Sequence, residues 1–341
     1  MQNSLTVAVL GSTGYVGLEL VKILIKHPNI KITYLGCENL ISEDIEEFDK
    51  SIKNNYLPKL DFNNNFNPSV SDVVFLALPH GVSHKFVKKF INKIKIIDLS
   101  ADFRLDSSKV YIKNYNDTHS CPEYLNNFIY GLPEINKKLI KSAKNIAVPG
   151  CYPTSILTPL IPLIDNNLIK TNNIIIDSKS GYSGAGKKFD ISNIKNDKDY
   201  NFYNYQTNEH RHICEVQQEL NKFSNNLINF SFNPHILPLY RGMMSTIYCD
   251  LENNVNIKNV ENILFKFSKD SLFVNILDNN IRSDIFSVQN TNKCLIKILQ
   301  HNSKRSIIII SIIDNLIKGA AGQAIQCLNI MFNFNEELGL I

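Results

Sequence analysis

Near its start the chain runs a short apolar strand, Leu5–Leu10, directly into Gly11-Ser12-Thr13-Gly14-Tyr15-Val16-Gly17. Residues 14–27 then place Val16, Leu20, Ile23 and Leu24 on one helical stripe, with Pro28 as the stop. Strand, glycine loop and helix in that order open a βαβ unit. Glycines let a backbone approach a pyrophosphate, and a helix N-terminus supplies amide donors and positive potential. The spacing is GxxGxxG, and a tight turn alone would need one glycine rather than three. Gly11, Ser12, Thr13, Gly14, Tyr15, Val16 and Gly17 are therefore read as a dinucleotide-binding loop.

Further strand-like runs follow at 31–35, 73–78, 95–99 and 145–148, with a helix over 83–91 for which Ser83 is the expected N-cap. Short apolar strands alternating with helices predict an α/β, doubly wound Rossmann-type domain over residues 1–150. After Cys151 strands dominate (NIIIDS, INFSF, MSTIYCDL, CLIKILQ, SIIIISII), with one helix near 260–267. That succession predicts a second α+β domain, 151–313, on a mainly antiparallel sheet. Residues 314–341 return to helical spacing and are expected to pack back on the first domain. The polar segment 187–205 reads as a mobile loop.

A length of 341 residues suits two domains, and 44% hydrophobic with 20% charged residues is a globular composition. The net charge of +4 is spread without a basic block, so no nucleic-acid partner is expected. The longest aliphatic run, 306–313, is too short for a membrane span. Seven cysteines lie scattered with no CxxC pair, which fits reduced thiols. The N-terminus enters a strand without a signal-peptide pattern, so a cytoplasmic protein is expected.

Cys151 follows a Pro149-Gly150 turn and opens an apolar segment with Pro153 in its first turn and interruptions expected at Pro159 and Pro162. Amides at a helix N-terminus favour a thiolate, so Cys151 is the candidate nucleophile; a packed core thiol is the plainer reading. The turn containing Pro79 and His80 lies at a strand's carboxyl end, where ligands bind in this architecture. Arg104 suits a bidentate clamp on phosphate or carboxylate, with Asp102 as a structural partner in the alternative. The small-residue loop SKSGYSGAG offers Ser180 and Gly184 to an anion or a nicotinamide amide. In NEHRHICE, His210 and His212 are two apart and cannot share a helical face, so one at most is expected at the reaction. Glu215, three beyond His212, can orient its imidazole. No second ligand pair with metal spacing appears, and no metal is expected.

The ordered set GSTGYVGLEL, LALPHGVS, DLSADFRL, YGLPEIN, VPGCYPTS, SKSGYSGAG, NEHRH, LPLYRGMMST and DNLIKGAAGQAIQ spans nearly the whole chain. It resembles the N-acetyl-gamma-glutamyl-phosphate reductases, relatives of the aspartate-semialdehyde dehydrogenases. The resemblance implies reduction of N-acetyl-L-glutamyl 5-phosphate to the semialdehyde through a Cys151 thioester, in arginine biosynthesis. It implies an acid/base role for His212 or His210, substrate binding by Arg104, Ser180 and Glu215, and a place for Asn315 near the nicotinamide with Gly184, Pro79 and His80. NADP is the cofactor the resemblance implies, and a homo-oligomer the expected assembly. The chain departs from the pattern where Glu38 follows the second strand, which leans toward a free ribose hydroxyl and leaves NAD open. A proline that often follows the histidine pair is Cys214 here. Three rivals remain: an aspartate-semialdehyde dehydrogenase, a redox-sensing NAD(P)-binding protein without turnover, and a Cys/His hydrolase.

Overall fold

The computed structural model describes residues 4–39, 42–53, 56–196 and 198–341, which fold as two compact units. The first comprises Met1–Pro149 with Ala320–Ile341, and the second Gly150–Gly319.

Strands of the first unit are β1 (Leu5–Leu10), β2 (Ile30–Cys37), β3 (Leu60–Phe62), β4 (Val73–Leu76), β5 (Lys95–Asp98), β6 (Phe128–Tyr130) and β7 (Asn145–Ala147). Among the described residues they form one wholly parallel sheet in the order β3-β2-β1-β4-β5-β7-β6. The order reverses between β1 and β4, which puts the topological switch point beside the glycine loop. Helices α1 (Tyr15–Leu24), α2 (Ser83–Phe90), α3 (Ser108–Tyr115) and α4 (Pro133–Ser142) accompany it. Phe86, Val87 and Phe90 of α2 share one buried core with Ala8, Leu10, Val74 and Leu76. Val82, not Ser83, is the N-cap of α2. Ser83 is its first helical residue, since Asp102 Oδ2 takes the Ser83 N–H at 3.1 Å and Asp98 Oδ1 takes its hydroxyl at 2.9 Å.

In the second unit the strands are β8 (Ile174–Gly181), β9 (Tyr203–Asn204), β10 (Phe230–Leu237), β11 (Met243–Asp250), β12 (Val274–Ile276), β13 (Cys294–Gln300) and β14 (Ser306–Ile313). Among the described residues they run β12-β13-β14-β11-β8-β10-β9, antiparallel except for the β8/β10 and β12/β13 pairs. Its helices are α5 (Cys151–Asp165), α6 (His212–Asn221) and α7 (Ile257–Lys269).

The expected interruptions of α5 at Pro159 and Pro162 do not occur, and the helix runs through both. Every residue from Tyr152 to Ile164 is buried, and tertiary packing on that scale overrides proline's poor intrinsic propensity. A hydroxyl chain ties α5 to the sheet: Ser155 Oγ and Ser178 Oγ each lie 2.7 Å from Ser245 Oγ, all fully buried. The opposite face is left open in part, with Ile175, Tyr248 and Ile308 in one row across β8, β11 and β14. Ile175 and Tyr248 are 44% and 39% exposed.

Segment 187–205, read from composition as mobile, carries a turn of 3-10 helix at Ile191–Asn193, buries Ile194 and pairs Tyr203–Asn204 with β10. Asp197 lies outside the described residues. After β14 a π-helical turn, Ile317–Ala321, leads to α8 (Gly322–Met331), whose residues are all buried. This helix is shorter than the 314–341 span of helical spacing. Within the first unit, Asn329 of α8 hydrogen-bonds His27 Nε2 at 2.9 Å. No helix among the described residues is long and apolar enough to cross a membrane.

Candidate active site

Cys151 is the first residue of α5 and is half-buried, with Gly150 as the N-cap in extended conformation. Cys151 thus stands at the positive, N-terminal end of the helix. Gly150 O accepts from Thr154 N at 2.9 Å and from Thr154 Oγ1 at 3.0 Å, which fixes that turn. Two glycines make room here by close approach. A Cβ on Gly150 would lie 2.6 Å from His212 Nε2, and one on Gly319 would lie 2.7 Å from Cys151 Cβ. The imidazole and the thiol-bearing residue are thus brought together through the bare α-carbon that separates them.

His210 and His212 lie side by side, although a spacing of two does not put residues on one helical face. That rule does not apply to the pair, because α6 begins at His212 and leaves His210 outside the helix. The rings are 4.7 Å apart, and His210 Nδ1 accepts the His212 N–H at 3.1 Å. His210 thereby caps the helix and carries any proton of its neutral form on Nε2. Tyr152, Tyr205 and Phe232 pack around its ring at centroid distances of 5.4, 5.6 and 5.6 Å. Burial, reinforced by the Arg211 charge, pushes its pKa down to about 3. His210 is therefore held neutral.

Tyr205 donates to the Tyr152 hydroxyl at 3.3 Å, and Tyr152 donates to His235 O at 3.3 Å. Burial, with Tyr205 beside it, holds the Tyr152 phenol well above the ordinary value. Glu215, expected to bind substrate or orient the imidazole, is wholly buried, and its Oε1 accepts the Gly150 N–H at 2.9 Å.

The SKSGYSGAG loop leaves the end of β8. Gly184 sits over Ser180, where a Cβ would be 3.1 Å from Ser180 Oγ and 3.8 Å from Asn315 Nδ2. Ser180, Gly184 and Asn315 are accordingly gathered in one place. Asn315 has a tying role: its Nδ2 donates to Ser183 Oγ at 2.9 Å and its Oδ1 accepts from Gly242 N at 2.7 Å.

The sequence shows the Pro149-Gly150 turn but neither its close approach to His212 nor the parts played by Gly319 and the Arg241–Asp314 pair. Arg241 Nε lies 3.1 Å from Asp314 Oδ2, and Asp314 Oδ1 accepts the amides of Leu316 and Ile317 at 2.8 and 3.2 Å. Burial pushes the Asp314 carboxyl up, against the opposing pull of Arg241. Asp314 O takes the Gly319 N–H at 2.9 Å, so this buried pair shapes the π turn that presents Gly319 to Cys151. The KGAAG run was the available signal.

In the first unit, the glycine loop can be tested for fit to a dinucleotide. A Cβ on Gly11 would lie 2.3 Å from Ala77 O and one on Gly17 2.2 Å from Gly11 O, so the protein's own packing demands those two. Gly14 differs, because its Cβ would meet nothing nearer than Gly11 O at 3.4 Å. Its bare backbone leaves a cradle for an outside group, as a pyrophosphate requires. Ser12 is buried and spends its amide and hydroxyl on Gly36 O, each at 2.9 Å, and Gly11 N donates to Asn63 Oδ1 at 3.0 Å. Ser12 thus braces the loop, while Thr13, Tyr15 and Val16 continue into α1. Glu38 is exposed.

Past β4, Pro79 O accepts from Val82 N at 3.2 Å and Gly81 N donates to Asp102 Oδ1 at 2.7 Å, holding the exposed His80 at the sheet's carboxyl edge. Asp102 also accepts from Tyr111 Oη at 2.9 Å. Arg104 donates from Nε to Val148 O at 2.7 Å and from Nη2 to Leu99 O at 2.9 Å. These bonds fix its guanidinium at the carboxyl ends of β5 and β7.

A family model described as semialdehyde dehydrogenase, NAD binding domain, matches residues 6–143. Another, semialdehyde dehydrogenase, dimerisation domain, matches residues 151–315. The chain is 43% identical over 342 residues to the N-acetyl-gamma-glutamyl-phosphate reductase of Ehrlichia canis (strain Jake), covering 100% of this chain and 98% of that protein. It is 37% identical to the probable chloroplastic N-acetyl-gamma-glutamyl-phosphate reductase of Arabidopsis thaliana, covering 100% and 85% of the two. Among solved structures it is similar in fold to aspartate semialdehyde dehydrogenase II of Vibrio cholerae, with a TM-score of 0.75 at 16% identity over 97% of this chain and 98% of that one. A like fold is that of the Candida albicans aspartate semialdehyde dehydrogenase with NADP, at TM-score 0.67 and 18% identity over 96% and 98%.

Proposed function

The chain belongs to the N-acetyl-gamma-glutamyl-phosphate reductases of the semialdehyde dehydrogenase family, and on that footing we propose that Cys151 carries the acyl group and His212 exchanges the proton. It is an oxidoreductase that reduces N-acetyl-L-glutamyl 5-phosphate to the 5-semialdehyde with release of phosphate, in arginine biosynthesis. Its first unit includes the NAD-binding domain of that family.

The observation that carries the site assignment is Gly150: its α-carbon lies against His212 Nε2, and the next residue is Cys151 at the head of α5. In the proposed mechanism Cys151 Sγ attacks the acyl carbon. The carbon–oxygen bond to phosphate breaks and phosphate departs with the electron pair. Sulfur donates weakly into the resulting thioester carbonyl, which stays electrophilic. When bound, a reduced nicotinamide dinucleotide supplies hydride to that carbon. His212 Nε2 gives its proton to the oxygen that gains charge, and recovers it as the carbon–sulfur bond breaks to release aldehyde and thiolate. His210, held neutral, supports the His212 backbone and leaves the proton to its neighbour.

In the first unit Gly11–Gly17, Pro79 and His80 are proposed to hold the dinucleotide, in the second Gly184 and Asn315 are proposed cofactor contacts, and NADP is the proposed form. Arg104 and Ser180 are proposed to hold the acidic groups of the substrate. The open row of Ile175, Tyr248 and Ile308 is the proposed face for a second copy of the chain. Assay in the reverse direction tests the reading, with N-acetylglutamate semialdehyde, phosphate and either NADP or NAD. Activity is expected with NADP above NAD, and Cys151→Ser is expected to abolish it. Turnover of only the unacetylated four-carbon aldehyde would contradict the substrate, and full activity in Cys151→Ser would remove the thioester.

A further inference from the structure

Glu215 stands one turn into α6, whose first residue is His212, and no part of it reaches solvent. Its Oε1 accepts the Gly150 N–H at 2.9 Å. We infer that Glu215 is a positioning residue that grips the amide before Cys151 and so fixes the register between thiol and imidazole, without touching substrate. This rests on the reading above only for the roles given to Cys151 and His212.

Gly150 must lack a side chain to admit the His212 ring, whose Nε2, Cε1 and Cδ2 would lie 2.6, 2.8 and 3.0 Å from any Cβ there. Glycine is also the residue whose backbone is least restrained. A bare α-carbon immediately before a nucleophile would therefore leave the thiol free to swing. The structure counters this at every polar atom of the residue. Thr154 holds the carbonyl through its amide and hydroxyl at 2.9 and 3.0 Å. Glu215 holds the amide, and it does so from the same helical turn that presents His212.

Any shift of α6 relative to α5 is thus passed to Gly150 and His212 together. Gly319 closes the other side of Cys151, where its backbone leaves no room for a methyl group. Misplacement of a reacting group by about 1 Å can cost on the order of a hundredfold in rate, so a grip of this kind acts on turnover rather than on affinity.

Two variants separate acceptor from volume. Glu215→Gln keeps an oxygen at the same reach, whereas Glu215→Met fills the space and leaves the Gly150 amide without its acceptor. For each, kcat and KM are measured alongside the pH profile of Cys151 labelling by iodoacetamide, read by peptide mass spectrometry on protein shown to be folded by circular dichroism. Gln is expected to stay within about threefold of the parent in both readouts. Met is expected to lose roughly thirtyfold or more in kcat with KM within about threefold, and to change the labelling profile.

A Met variant that raises KM and keeps kcat would make Glu215 a substrate contact and overturn the inference. So would a Met variant equal to the parent, or a Gln variant as damaged as Met. Labelling needs no turnover, so failure of the parent enzyme to act on the acetylated substrate would refute the functional reading while leaving this test intact. If Met does not fold, an impaired Gln variant still overturns the inference, and a parent-like one supports it.

Discussion

A methyl group on Gly150 would meet His212 Nε2 at 2.6 Å, with the Gly150 peptide held at both ends. Gly150→Ala must therefore displace the imidazole or the start of α5. The expected result is a fall in kcat of about tenfold or more, with about 1–3 kcal/mol of lost stability from overpacking, measured by steady-state kinetics and urea unfolding. His210 gives a second prediction at this scale. Its folded pKa of about 3 lies below the ordinary 6.5, so the unfolded chain binds the extra proton. The stability it contributes is complete above pH 6.5 and declines, by about 1.4 kcal/mol per unit, as pH falls toward 3. In His210→Asn, whose side-chain oxygen can take over the His212 amide, the stability–pH slope between pH 6.5 and 5 should flatten by about that amount. An unchanged slope would show that His210 is not held neutral.

Among the elements, α5 depends on hydroxyl pairing as well as apolar burial. Ser245→Ala removes the shared partner of Ser155 and Ser178, both buried, and should lower the unfolding free energy by about 1–3 kcal/mol in denaturant titration. Equal stability would mean that the serine chain is replaced without cost. The same helix shows what a sequence conveys about elements. β1, α1 and the glycine loop were legible because apolar period and turn chemistry coincide over a few neighbouring residues. The run through Pro159 and Pro162 was not legible, because propensity is local and the burial that overrides it comes from strands far along the chain. β3 and β6 are only three residues long, LDF and FIY, too short to show a period. At the site, Cys151 and His212 stand out by chemistry, whereas Gly150 and Gly319 matter for what they lack. A missing side chain carries no chemical signal, and the atoms that need the space come from another part of the chain.

For the molecule as a whole, the row of Ile175, Tyr248 and Ile308 predicts self-association. Tyr248 is 39% exposed within the chain, so Tyr248→Lys should leave the stability of the fold within about 0.5 kcal/mol while shifting the protein from dimer to monomer in sedimentation velocity. A parent protein that sediments as a monomer would remove this face as the interface.

The second unit also has a beginning and an end that meet. It is one continuous segment, Gly150–Gly319, and its last residue packs against Cys151, the second residue of that segment. In kinetic terms this contact spans nearly the whole length of the unit, and loop closure of that length is costly until the intervening strands have formed. The surroundings of the thiol are thus completed only when the whole unit has closed. In a pulse-labelling experiment during refolding, Cys151 should acquire its native reactivity last, later than protection of the buried Cys249 and Cys294.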